Sequence, residues 1–171
     1  YPKSSMILTF KHVWAVIGLF ILCFAWLAII CIMALPNRKE LFLLCTGITI
    51  FADVGGYFGG RYFGRKKLAP LISPGKTQEG VICALVVQIP LVFLFILFGQ
   101  SPIDLGYYFF LAFFTVVLSI FGDLFVSMLK RNNGVKDSGS LLPGHGGILD
   151  RVDGLIVVLP FYCICVLMRP I

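Results

Sequence analysis

The sequence predicts an all-α integral membrane protein, a bundle of about five transmembrane helices with two long cytoplasmic loops. Three observations support this fold class: 59% of the 171 residues are hydrophobic, only 13% are charged, and the apolar residues fall in five long runs. Soluble domains average about 45–50% apolar and about 25% charged residues. Too little polar surface remains to cover a compact particle in water, so lipid is the expected surrounding.

Each of the five apolar runs is long enough for a span, because about 20 helical residues cross the hydrocarbon core of a bilayer. Pro90 lies inside the third run, where a membrane helix tolerates a kink. The predicted spans run from His12 to Leu35, Leu41 to Gly60, Val81 to Phe98, Leu105 to Leu129 and Val152 to Met168.

Basic residues are concentrated on one side of these spans. The N-terminal arm, the loop from Arg61 to Glu79 and the loop from Lys130 to Arg151 hold 11 of the 14 Lys and Arg residues. Loops rich in Lys and Arg stay in the cytoplasm. We therefore expect both long loops to be cytoplasmic, and a bacterial inner membrane is the expected setting for so compact a chain.

Four aspartates are expected to share one layer near the cytoplasmic boundary. Asp53 and Asp123 each lie seven residues inside that boundary, about 10 Å deep by helical rise. Asp150 and Asp153 open the last span on one helical face. Carboxylates at this depth usually face a polar cavity, and Mg²⁺ shared with substrate phosphates would offset their repulsion. Helix capping or pairing with an arginine is the alternative, chiefly for Asp150 and Asp153.

A polar stripe continues from one of these acids. Asp123, Ser127 and Lys130 follow one another at i, i+4 and i+7, which places them on one side of a helix. The stripe can lead from a metal ligand to a cation that binds phosphate. It can equally be a polar stripe that packs against a neighbouring span.

The first long loop contains a Gly-Lys-Thr sequence just before the third span. It is not a P-loop, because Pro70 stands where that motif needs glycine. Ser73, Lys76 and Thr77 can still hold a phosphate through backbone amides and a point charge. A plain cytoplasmic turn is the alternative.

The second long loop has more features of a phosphate site. Gly146 and Gly147 permit close backbone approach, and the helix that follows presents free amides to an anion. Lys136 and Arg151 add positive charge, and Arg151 can contact phosphate with two hydrogen bonds. His145 is either a hydrogen-bond donor or general acid, or an ordinary loop residue.

The stretch from Ser127 to Asp153, SMLKRNNGVKDSGSLLPGHGGILDRVD, resembles the signature of the phosphatidate cytidylyltransferases, also called CDP-diacylglycerol synthases. It meets every specified position of that signature. Upstream, DVGGY from Asp53 resembles the family's DTGAY and departs from it at Val54 and Gly56. The block FGRKKLAPLISPGKTQEG resembles the family's FGKHKLAPxISPGKTxEG. The resemblance runs from Gly18 to the C-terminus.

This resemblance implies transfer of CMP from CTP to phosphatidate, a membrane lipid, which gives CDP-diacylglycerol and pyrophosphate for phospholipid synthesis. It implies Mg²⁺ on Asp123 and Asp150, with room for a second cation. The catalytic residues that it implies are Lys76, Lys130, Arg131, Lys136, Asp137 and Arg151. The substrate-binding residues are Asp53, Ser73, Thr77, Ser127, His145 and Asp153.

Proteins of this family are usually longer, with several further spans before the matched region. We therefore expect residues 1–171 to form a single polytopic membrane domain that lacks N-terminal spans of a longer chain, with the signature at 127–153. A homodimer is the assembly that the resemblance implies, and no nucleic-acid partner is expected.

Two other functions fit part of the pattern. A membrane lipid kinase would use similar acids and basic loops but would transfer the γ-phosphoryl group of a nucleotide. A cation transporter would explain Asp53 and Asp123 within spans. The two glycine-bearing, Lys-rich loops have no evident use in a cation pathway, which favours the nucleotide-dependent functions.

Overall fold

The computed structural model describes residues 11–35, 38–98, 105–132 and 149–168, together with residues 135, 138 and 147. Side chains at residues 11–15, 98, 132 and 149–151 lie outside this description. The described elements are α1 (Lys11–Ala34), α2 (Arg38–Tyr62), β1 (Lys67–Ala69), β2 (Ser73–Thr77), α3 (Gln78–Phe98), α4 (Leu105–Asn132) and α5 (Leu149–Met168).

The five predicted spans are confirmed as helices, with ends that differ from the prediction by at most a few residues. In lipid a helix satisfies every backbone polar group within its own segment, so long apolar runs adopt this form. The segments Val16–Ala34, Arg38–Tyr62, Gln78–Leu97 and Leu105–Arg131 are long and apolar enough to cross a membrane. The apolar part of α5, Val152–Met168, is shorter. The chain is thus an all-α, multi-pass membrane protein.

Large apolar side chains lie mainly on the outside of the bundle. Trp26 is 64% exposed and Leu97 is 79% exposed. Several buried positions hold polar side chains, including Thr49, Gln88 and Ser119. Bundles in lipid show this distribution because the acyl chains solvate apolar side chains as well as a protein core does.

Among the described helices, α2 occupies the centre of the arrangement, since it packs against each of the other four. Helix α5 packs against both α1 and α4, and α3 packs against α2 and α4. The buried core between them includes Ile48, Tyr108, Val116, Val158 and Tyr162. This packing brings the ends of α2, α3 and α4 together at the side where the first long loop lies.

That loop contains a two-stranded hairpin, which the sequence analysis did not anticipate. Strand β1 pairs antiparallel with β2, with Lys67 opposite Thr77 and Ala69 opposite Ser73. The Thr77 hydroxyl then accepts the Gly80 amide proton at 3.1 Å and caps the N-terminus of α3. Lys76 therefore lies in a paired strand, two residues before the start of a capped helix.

Glycines allow α2 and α3 to approach closely beside the hairpin. A Cβ built at Gly59 would overlap the side chain of Cys83, and one at Gly80 would lie 2.7 Å from the carbonyl oxygen of Gly56. Small residues commonly create such contacts between membrane helices. Close packing of α2 on α3 thus accounts for glycine at positions 59 and 80.

Helices α4 and α5 meet in the same way. A Cβ at Gly122 would lie 2.9 Å from Val157 Cγ2, and one at Gly154 would lie 2.6 Å from Ser119 Oγ. Each of these glycines neighbours an aspartate in the sequence, Asp123 and Asp153. The close crossing therefore draws two carboxylates toward each other.

We expect Gly59→Ala to destabilise the bundle by about 1–3 kcal/mol, the usual cost of overpacking a filled interface. Thermal unfolding in detergent micelles would measure the change. Gly47→Ala is the matched control, because a Cβ at Gly47 meets no atom within 4 Å. Adding Cys83→Gly to Gly59→Ala should restore part of the lost stability, and failure of this rescue would contradict the proposed clash.

Candidate functional site

A cavity of about 340 Å³, here called the polar cavity, lies where α2, α3 and α4 meet the hairpin. The apolar part of its lining includes Ala52, Ala84 and Ile120. Its polar lining includes Tyr57 and five residues that the sequence analysis singled out: Asp53, Ser73, Lys76, Thr77 and Asp123. They come from three separate segments of the chain, so the tertiary structure brings the predicted residues together.

An ion pair crosses this cavity from the hairpin to α4. Lys76 Nζ lies 2.5 Å from Asp123 Oδ2, and the two side chains are 25% and 30% exposed. Ser127 Oγ donates a hydrogen bond to Asp123 Oδ1 at 3.3 Å. Both oxygens of the Asp123 carboxylate therefore have partners, and Asp123 and Ser127 lie on one side of α4, as their spacing predicted.

Two further carboxylates lie within electrostatic reach of this ion pair. Lys76 attracts both Asp53 and Asp153, while Asp123 repels both of them. Lys130 also attracts Asp153. Three carboxylates and two ammonium groups among the described side chains thus interact with one another, and the carboxylates repel one another. Such a cluster favours the arrival of a cation.

The predicted Mg²⁺ fits this chemistry. Asp123 supplies hard oxygen ligands at an accessible wall of the polar cavity, and Mg²⁺ typically uses one or two carboxylates together with substrate phosphates. No group of three His, Cys, Asp or Glu side chains positioned to hold a metal occurs among the described residues. The side chain of Asp150, the second predicted ligand, lies outside them, so the metal site stays a prediction.

Glu79 has a positioning role that the sequence analysis missed. Its Oε2 accepts the Arg65 amide proton at 3.0 Å, and its two carboxylate oxygens accept the Lys66 amide proton at 3.2 Å each. The start of α3 is thereby tied to the chain that leaves α2. The sequence offered only an acid in the first turn of a helix, a feature shared by many helices that bind nothing.

Arg131 is exposed and does not line the polar cavity. Its Nε donates a long hydrogen bond, 3.5 Å, to the carbonyl oxygen of Ile72 beside the hairpin. Lys130, the preceding residue, lines a second cavity together with Asp153. Lys130 and Arg131, which are neighbours in the sequence, thus have different contacts.

Five other predicted site residues lie wholly or partly outside the described residues. The backbone of Asp150 and Arg151 lies in the first turn of α5, as expected from the sequence, while their side chains fall outside the described residues. Lys136, Asp137 and His145 lie entirely outside them. The roles assigned to these five residues stay predictions.

Comparison with known proteins gives consistent matches. The sequence model described as the cytidylyltransferase family matches residues 4–168. The phosphatidate cytidylyltransferase of Haemophilus influenzae is 46% identical over 132 residues, which cover 74% of this chain and 46% of that protein. That of Bacillus subtilis is 49% identical over 112 residues, covering 64% and 40%, respectively. That of Pseudomonas aeruginosa is 41% identical over 158 residues, covering 85% and 54%. The chain thus spans about half the length of the curated relatives it matches.

Replacing Glu79 with alanine should release the chain between α2 and β1. We expect several-fold faster hydrogen exchange at the Arg65 and Lys66 amides, because both lose their carboxylate acceptor. Exchange measured by NMR in micelles would test this. Glu40→Ala is the matched control, since Glu40 is also an acid in the first turn of a helix. Equal exchange rates in the wild type and in Glu79→Ala would rule out the anchoring role.

The ion pair should appear as an energetic coupling between its two residues. Lys76→Met leaves Asp123 unpaired beside two other carboxylates, so it should cost more stability in the wild type than in an Asp123→Asn background. For residues in direct contact we expect a coupling of about 0.5–3 kcal/mol. Thermal unfolding of the four proteins of this double-mutant cycle would measure the coupling, and strictly additive effects would contradict it.

Proposed function

The chain belongs to the cytidylyltransferase family, and we propose that it transfers CMP from CTP to phosphatidate, giving CDP-diacylglycerol and pyrophosphate. The observation that carries the proposal is the polar cavity, in which Lys76, just before the apolar helix α3, is paired with Asp123 of α4. The names of the relatives, each a phosphatidate cytidylyltransferase, support the same substrates.

Phosphatidate can act as the nucleophile without a strong general base. The second pKa of a phosphomonoester is about 6, so this group is largely ionised at neutral pH. One of its oxygens attacks the α-phosphorus of CTP and forms the new P–O bond. The bond from that phosphorus to the oxygen bridging the β-phosphate breaks, and pyrophosphate leaves with the electron pair. The whole sequence contains only two histidines, which suits this chemistry.

Catalysis then depends mainly on stabilising the negative charge of the reacting phosphate groups. Lys76 enters the polar cavity from the hairpin and can exchange its Asp123 partner for triphosphate oxygens. Anionic oxygens and an ammonium group form strong, charge-assisted hydrogen bonds in such a partly buried site. Thr77 and Ser73 line the same wall, where they can contact phosphate oxygens. Preorganised charges of this kind usually supply the largest part of catalysis in phosphate chemistry.

Mg²⁺ is part of the proposal, with Asp123 and Asp150 as its carboxylate ligands and room for a second cation. When bound, it would neutralise charge on the α-phosphoryl group and on the departing pyrophosphate. The three carboxylates around Lys76 support this assignment, because a bound cation would reduce the repulsion between them. Ser127 would orient Asp123 through its hydrogen bond.

The proposed topology brings the two substrates to one boundary. We propose that the polar cavity lies on the cytoplasmic side of a bacterial inner membrane, because loops rich in Lys and Arg stay in the cytoplasm. CTP is dissolved on that side, and phosphatidate remains anchored in lipid. The bacterial origin of the relatives supports this setting. A homodimer is the proposed assembly, and basic side chains at the rim would attract both anionic substrates.

The decisive assay follows a cytosine label from CTP into phosphatidate-containing micelles. We expect Mg²⁺-dependent transfer that chelation abolishes, and a loss of about 10²–10³-fold in Asp123→Asn, the usual effect of removing one key electrostatic group. Glu40→Gln is the matched control, because it also converts a carboxylate to an amide but lies away from the polar cavity. The assay should use this chain and also a chain extended to the length of its relatives.

Label in the lipid that disappears in Asp123→Asn and persists in Glu40→Gln would support the proposal. No transfer by either length of chain would overturn it. Lipid labelled only from γ-phosphate would show a lipid kinase, and cation flux into vesicles without lipid labelling would show a transporter.

A further inference from the structure

Tyr57 gives the polar cavity an aromatic wall. Among the described residues that line this cavity, it is the only one with an aromatic ring. Its side chain is 61% exposed, so a large part of the ring is accessible to a ligand. Nucleobases of every kind stack on exposed aromatic rings, because each base has a π-face. The ring is therefore a surface on which the base of a nucleotide can lie.

Tyr57 lies between Asp53 and Arg61 on one side of α2. The three residues follow one another at i, i+4 and i+8, the spacing of neighbours along a helix face. Arg61 Nη1 donates a hydrogen bond to Tyr57 Oη at 3.4 Å, so these two side chains meet. By helical rise, Tyr57 lies about 6 Å and Arg61 about 12 Å from Asp53 along the axis. The stripe thus leads from the polar cavity to the loop end of α2.

A nucleotide whose phosphates bind at Lys76 would have its base on another part of the cavity wall. The ribose separates the base from the phosphates, so the two ends of the nucleotide need different surroundings. Lys76 and Thr77 belong to the hairpin, whereas Tyr57 belongs to α2, and all three line the same cavity. The cavity therefore offers a charged surface for the phosphates and an aromatic surface for the base.

We propose that the ring of Tyr57 stacks on the cytosine base and that Arg61 recognises the base through its O2 and N3 atoms. This inference rests on the proposed function and deepens it by naming the residues that select the nucleotide. Arg61 is exposed and its hydrogen bond to Tyr57 is long, so its guanidinium can turn to a bound base.

The guanidinium group distinguishes cytosine from uracil by hydrogen bonding. Cytosine presents two adjacent acceptors, O2 and N3, which match two parallel N–H donors of an arginine. Uracil has the same size and the same O2, but its N3 carries a hydrogen that would face an arginine donor. Stacking on Tyr57 would accept either pyrimidine, so discrimination depends on Arg61.

Phe58 provides a control for the role of Tyr57. Tyrosine is common at membrane interfaces, where it anchors a helix without binding a ligand. Phe58 follows Tyr57 in α2 and is also exposed, but it does not belong to the described lining of the polar cavity. Tyr57→Leu and Phe58→Leu therefore form a matched pair, because an anchoring role would give both variants similar effects.

The kinetic test compares label transfer from CTP and from UTP into phosphatidate-containing micelles. Arg61→Lys keeps the charge but loses the two parallel donors, so the ratio of kcat/KM for CTP to that for UTP should fall about tenfold or more. Arg65→Lys, a substitution at an exposed arginine outside the described lining, should leave the ratio unchanged. Tyr57→Leu should raise the KM for both nucleotides about tenfold, whereas Phe58→Leu should not.

Photo-cross-linking tests base binding without the reaction. The nucleotide is 5-iodo-CTP, whose halogenated ring couples to a stacked aromatic side chain on irradiation, in micelles that contain no phosphatidate. We expect a cross-link at Tyr57, located by mass spectrometry, that unlabelled CTP suppresses at about one tenth of the concentration needed with UTP. Phe58→Leu should retain the cross-link, and Tyr57→Leu should lose it.

Three results would overturn the inference: a cross-link located away from Tyr57, equal competition by CTP and UTP, or equal KM changes in Tyr57→Leu and Phe58→Leu. An unchanged nucleotide preference in Arg61→Lys would likewise exclude recognition by Arg61. A Tyr57 cross-link with CTP preference, in chains that transfer no label, would support the base site and contradict the proposed reaction. Transfer of cytosine label without this cross-link would do the reverse.

Discussion

The ion pair between Lys76 and Asp123 is the interaction on which the organisation of the site depends. It joins the hairpin of the first long loop to α4, two segments far apart in the sequence. Without the lysine, Asp123 would lie near Asp53 and Asp153 with less charge compensation, in surroundings where unpaired carboxylates are costly. Glu79 also stabilises this arrangement, because its carboxylate accepts the amide protons of Arg65 and Lys66 in the chain that leads into the hairpin.

Close helix packing makes this ion pair geometrically feasible. The crossing of α2 and α3 at Gly59 and Gly80 sets the position of the hairpin relative to Asp53. The crossing of α4 and α5 at Gly122 and Gly154 brings two aspartates near one another. The glycines bind nothing themselves. They allow helix backbones to approach closely enough for charged side chains from four elements to form one cluster, in a bundle with little hydrophobic driving force of its own.

The polar cavity gives this cluster a chemical setting. It lies where α2, α3 and α4 meet the hairpin, and Asp53, Lys76 and Asp123 line it together. Carboxylates and an ammonium group from three segments of the chain thus share one cavity between apolar helices.

The sequence by itself determined the spans, because a helix in lipid satisfies its backbone locally and needs only a sufficiently long apolar run. It also singled out Asp53 and Asp123, because carboxylates within spans are rare, and Lys76, because it belongs to a Gly-Lys-Thr sequence in a long loop. Only the tertiary structure decided that Lys76 pairs with Asp123, that Glu79 anchors the loop, and that the polar cavity forms where α2, α3 and α4 meet the hairpin. These features depend on contacts between segments distant in the chain, and neither hydropathy nor local spacing encodes which helices meet.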